Sequence, residues 1–187
     1  LGEWAAATDE DLGRLIASEL EGVVERPRLL SRVGLWTTFV AHEARGGERV
    51  LVNVRPRATV GDEVAERVLR AAATDRAWQH PSVLPVRRSG SSERLLWISL
   101  PELGGWPLRQ WFSEERVPSP TSALEFLRHV AAPLIAMHAA GRVHGALTPS
   151  AFHRDSTGVV RVCCPGVDLE LLRGDLAAGV DSEAAAF

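Results

Sequence analysis

The chain has 187 residues, 45% of them hydrophobic and 24% charged, with a formal net charge of -3. That is enough for one domain or two small lobes around a core, and the charge argues against non-specific nucleic-acid binding as the main task. Every apolar run is broken by charge before it reaches membrane-spanning length, so no transmembrane segment is expected. No charged-then-apolar leader opens the chain and Leu1 is not Met, so the N-terminus is expected to be trimmed or internal to a longer protein. There is no Lys and no Tyr, and Asn53 is the single Asn, so no role that needs an amine side chain can be filled from within this sequence. The two cysteines, Cys163 and Cys164, are adjacent. Sequence neighbours rarely form a disulfide and two ligands do not make a zinc site, so both read as small apolar strand residues suited to a reducing cytoplasm.

Thr8-Asp9-Glu10-Asp11 reads as a helix start, with carboxylates where the dipole favours them. Leu12, Leu15, Ile16, Leu20 and Val23 follow at helical spacing, and Arg26-Pro27 is expected to end the helix. Docking of this amphipathic helix on the rest of the fold is the simpler expectation, partner binding the other. Leu29–Val33, Thr38–Ala44 and Arg49–Arg55 read as strands, with Gly46-Gly47 as a hairpin turn. Residues 61–79 form a helix by pattern, with Val64, Val68, Leu69 and Ala72 on one face, closed by His80-Pro81. Val83–Val86 and Arg94–Leu100 read as two more strands around a Ser/Gly turn. Pro101–Pro107 reads as a Gly/Pro hinge, and Leu108–Glu114 as a short helix. Ser119-Pro120 supplies a helix cap with Pro at the first helical position. Leu124, Leu127, Val130, Leu134 and Met137 follow with a helix period up to Gly141. Thr157-Gly158 reads as a turn, Val167–Leu172 as a last strand or helical turn, and residues 174–187 are weakly patterned.

The stretch Arg142–His153, RVHGALTPSAFH, organises this pattern. A helix runs into it, a short hairpin follows, and Val159–Gly166 closes on Cys-Cys-Pro-Gly. With His80-Pro81, Gly104-Gly105 and Pro165-Gly166 in order, the chain from about Leu29 to Leu172 resembles a protein kinase of the bacterial Ser/Thr type. The resemblance implies an α+β, two-lobed fold. It comprises a helical extension over residues 1–26, a five-stranded antiparallel N-lobe over 27–102, and a helical, incomplete C-lobe over 103–187. Such a lobe continues into further helices, so the face of Leu124–Met137 is expected to present an apolar patch, covered by later segments or by a partner.

The residues that do kinase chemistry are replaced, position by position. Of the glycine-rich loop that resemblance would place over the phosphates, Gly34 remains, with Trp36 and Phe39 at the second and third glycines. These two side chains either crowd the phosphate space or pack inside the lobe. Asn53 stands where the family carries its phosphate-pairing Lys. Ala71 stands at its partner Glu. Glu66 cannot easily substitute, since five residues turn a helix by about 140°. Ala146 replaces the catalytic Asp, Thr148 the phosphate-facing Lys and Ala151 the metal-binding Asn. Cys164 replaces the second metal ligand, with Asp168 as the match only if the loop has slipped. His144 matches a structural histidine of the family.

A pseudokinase that lacks these groups is expected to be a protein-interaction or regulatory scaffold, with no catalytic residue, no cofactor and no metal. Trp4, Trp106 and Trp111 are candidate contact residues on its surface, beside the N-terminal helix. Two other readings stand beside it. One is a nucleotide or small-ligand sensor that uses the degenerate cleft without phosphoryl transfer. The other is a divergent phosphotransferase with Asn53, His153, Asp155 and Asp168 as its polar candidates. His138, His144 and His153 show no ligand spacing. Similar bacterial domains occur as cytoplasmic parts of larger, membrane-associated proteins, including cell-wall lipid-transport machinery. That resemblance implies a protein partner, either a phosphopeptide-binding protein or a membrane-associated regulator, and no nucleic acid.

Overall fold

The fold comes from a computed structural model, which describes residues 4, 6–33, 35–102, 104, 106–107, 120–145, 147–148, 151–163, 167, 170–171 and 174. The described chain is a mixed α+β structure with three α-helices and a five-stranded antiparallel sheet. Helix α1 (Asp9–Glu19) starts at a capping box: the Thr8 hydroxyl accepts from the Asp11 amide, and the Asp11 side chain bonds back to the Thr8 amide. Strands β1 (Val24–Val33), β2 (Trp36–Glu43) and β3 (Arg49–Pro56) follow, then a 3-10 turn (Arg57–Thr59) and α2 (Asp62–Ala77). After α2 come β4 (Val83–Leu84), β5 (Arg88–Ser91), β6 (Leu95–Pro101), β7 (Trp106–Pro107), α3 (Pro120–Ala139), β8 (Phe152–Arg154) and β9 (Val160–Cys163).

The main sheet runs β1-β2-β3-β6-β5, and both of its faces are covered. Strand alternation sends Phe39, Val50, Val52, Val54, Leu95 and Trp97 to one face, where they meet Leu12, Ile16 and Leu20 of the α1 region. The alternate residues Leu96, Ile98 and Leu100 meet Ala65, Val68 and Ala72 of α2 on the other face. A second sheet, β4-β9-β8-β7, pairs β4 with β9 in parallel and so ties the segment after α2 to the C-terminal hairpin. Beneath it α3 contributes Met137, with Val130 and Leu134 partly buried, to a smaller cluster with Phe152, Val160 and Val162.

Two expectations need correction. Arg26-Pro27 does not end α1; the helix stops at Glu19 and Pro27 lies inside β1. β1 is an edge strand with a register break between Glu25 and Arg28, and Arg26 takes φ 53°. An edge bulge is where a strand tolerates Pro, because the missing N–H removes no ladder bond. The fifth strand of the main sheet is β5, within the expected Ser/Gly turn, whereas Val83-Leu84 leaves for the second sheet. Gly90 pairs with Trp97, and a Cβ there would stand 2.7 Å from the indole, so the glycine is a packing requirement and not a turn signal. On α3 apolar residues are exposed as expected, Leu124, Leu127 and Ile135 among them, while Met137 is buried. The expected short helix at Leu108–Glu114 lies outside the described residues. Of the last expected element, the described residues Val167, Glu170 and Leu171 are helical.

Candidate functional site

The nominated residues divide between the faces of the main sheet. Phe39 is fully buried on the α1 face, and Trp36 is half-buried against the α2-side cluster, an odd spacing that strand alternation requires. Phe39 is therefore a core residue. Asn53 pairs across the sheet with Thr38 and with Ile98, whose side chain belongs to the α2-side cluster. Its Oδ1 accepts from the Thr38 hydroxyl at 2.8 Å. Ala71, on α2, packs against the same cluster. The structure thus directs Asn53 and Ala71 to one side of the sheet, and neither can carry charge.

Across the second sheet, Ala151 is buried beside Phe152 at the start of β8. His144 is 2% exposed, and its Nε2 lies 3.3 Å from the Cys163 carbonyl oxygen. A carbonyl only accepts, so Nε2 carries the proton in this contact. Burial pushes the His144 pKa below its ordinary value, with the Cys163 carbonyl acting in the opposite direction. His144 therefore holds the loop after α3 to the end of β9, as a neutral core histidine. Gly34, Ala146, Cys164, Asp168 and Trp111 lie outside the described residues.

His153 and Arg161 face each other across β8 and β9. His153 is 8% exposed, and burial lowers its pKa, while the charges of Glu102 and Asp155 act to raise it. Among the described residues, His153 Nδ1 and Arg161 Nε are buried without a hydrogen-bond partner. Asp155 closes the hairpin. Burial raises its pKa, but the Thr157 hydroxyl, the Val159 and Thr157 amides and Arg161 outweigh this and hold the carboxyl below its ordinary range. Of the four polar candidates for transfer chemistry, the structure thus brings His153 near Asp155, and leaves Asn53 on the main sheet.

One candidate contact residue also changes status. Trp4 is half-buried and packs against the core under α1, so it is not a free surface anchor. Trp106 is on β7, paired with Arg154. An open hollow at Arg57, Asp62 and Glu93 contains none of the nominated residues. Among the described residues no cluster of three His, Cys, Asp or Glu side chains could hold a metal ion, and no helix is long and apolar enough to cross a membrane.

A buried ion pair escaped the sequence reading. Asp75 is 1% exposed, and Arg142 Nη2 donates to its Oδ1 at 2.5 Å. The signal was present: Val68, Ala72 and Asp75 follow at helical spacing on the buried face of α2, so a carboxylate there demands a partner. No family model matches the sequence.

Proposed function

We propose that this chain is a degenerate protein-kinase-like domain, a pseudokinase, that works as a protein-interaction scaffold and does not hold Mg-ATP. On this reading the main sheet with α2 is the N-lobe, residues 101–107 link the lobes, and α3 with the β8–β9 hairpin opens the C-lobe. Support comes from the order of elements: α2 follows β3, the sheet runs β1-β2-β3-β6-β5, and a helix, a buried His144 and a hairpin follow.

The observation that carries the reading is the Asn53–Thr38 hydrogen bond on the sheet face that α2 covers, with Ala71 against the same cluster. At these two positions phosphoryl transfer would need a cation and its carboxylate partner. Catalysis of that reaction is almost wholly positioning and charge stabilisation, so neutral residues there remove its basis. The loss is paired, which avoids leaving one charge buried alone. Ala146 and Cys164 add to this by residue type alone, since an alanine has no proton acceptor and a thiol is a poor magnesium ligand. The partner on this reading is a protein, either a phosphopeptide-binding protein or a membrane-associated regulator, and the setting is cytoplasmic.

A second reading, a metal-independent ligand sensor, draws on His153 Nδ1 and Arg161 Nε, two buried nitrogens that a small polar ligand could satisfy. Thermal melts with ATP, with and without magnesium, separate the two. The scaffold reading expects no shift in Tm. A shift independent of magnesium supports the sensor, and a magnesium-dependent shift overturns both.

A further inference from the structure

Helix α2 is gripped twice by residues far along the chain. Near its N-terminus, Arg67 Nε pairs with Glu170 at 2.9 Å, and Val167 and Leu171 are buried among Ala65, Val68 and Ala72. A Cβ on Gly174 would stand 2.6 Å from Val64, so the chain passes too close there for any other residue. At the C-terminal end, Asp75 holds Arg142. The Arg142 guanidinium lies 4.7 Å from the Trp78 ring centroid, and Trp78 stacks on His80.

The contacts continue until they close. His80 Nδ1 accepts from the Ser82 amide at 3.1 Å, and the Ser82 carbonyl accepts from the Val162 amide at 3.0 Å. Cys163 then accepts from His144, two residues beyond Arg142. The ring runs Asp75, Arg142, His144, Cys163, Val162, Ser82, His80, Trp78 and back to α2. From this geometry we infer that α2 is a strut clamped at both ends, which makes the main sheet and the β8–β9 hairpin open as one body with no hinge between them. The inference stands on these contacts and holds whether or not the scaffold reading does.

Hydrogen–deuterium exchange on the full chain tests it. Each clamp holds α2 in part. Arg142→Gln and Glu170→Gln are therefore each expected to raise exchange in α2 and in residues 160–163 by a few-fold, together. The double variant is expected to exceed the product of the single effects, the signature of coupled contacts. Should Arg142→Gln fail to fold, Arg142→Lys keeps the charge, loses the planar group over Trp78 and serves in its place. Exchange that rises only in residues 141–145, or a double variant equal to the product, overturns the strut.

Discussion

The main sheet and α3 put similar apolar content to different use. Each face of the sheet is sealed: α1 covers Phe39, Val52 and Leu95, and α2 covers Leu96, Ile98 and Leu100. Helix α3 seals one side only, over Phe152 and Val162, and leaves Leu124, Leu127 and Ile135 in solvent. An apolar residue stabilises in proportion to the area that folding takes from water. Leucines of the same size thus contribute strongly under α1 and little on the outer side of α3. Composition alone does not locate stability; the second layer that covers a residue does.

The sharpest way to break this contrast is a pair of truncations. Phe39→Ala is expected to cost about 3–5 kcal/mol, the range for emptying a buried aromatic site. Ile135→Ala, 66% exposed, is expected to stay within about 0.5 kcal/mol. Urea denaturation of both variants gives the values. A small cost at Phe39 would mean that its ring is not core, and would return it to the cleft that the glycine-rich-loop resemblance suggested.

A smaller effect sharpens the comparison and shows where sequence reading stopped. The helices, β2, β3 and β6 were legible because their apolar periods match their geometry, 3.6 for α2 and 2 for β3. β5 was not. Its sequence, Arg88-Ser-Gly-Ser91, has turn composition, and only the Trp97 indole across the pair explains Gly90. Pro27 misled for a related reason, since whether a strand lies at an edge is a property of the sheet and not of the strand. On the nominated site, residue identities at Asn53 and Ala71 were readable, but their common face and the Asn53–Thr38 bond depend on cross-strand register. Gly90→Ala is expected to destabilise by about 1–3 kcal/mol, as overpacking does, measured in the same denaturation series. A neutral result would remove Trp97 from that contact.

The smallest expected effect concerns the second sheet, where His153 on β8 and His144 against the end of β9 are buried. His144 and His153 both hold their protons less tightly in the fold than free imidazole does, chiefly through burial. The unfolded chain therefore binds more protons once pH falls below about 6.5. Stability is full above that pH and declines on acidification, until the lowered native values are reached and the slope flattens. Around His153 the facing charges are Arg161, Glu102 and Asp155, and the two carboxylates soften the effect without reversing it. His144 has the Cys163 carbonyl instead, which also opposes burial. Tm measured from pH 8 to pH 5 is expected to fall on the acid side, and His153→Gln is expected to flatten that fall by removing one of the two titrating groups. A His153→Gln profile parallel to the parent's would mean that His153 titrates alike folded and unfolded. The hairpin would then be open to water, and the contrast between a sealed sheet and a one-sided second half would extend to β8 and β9.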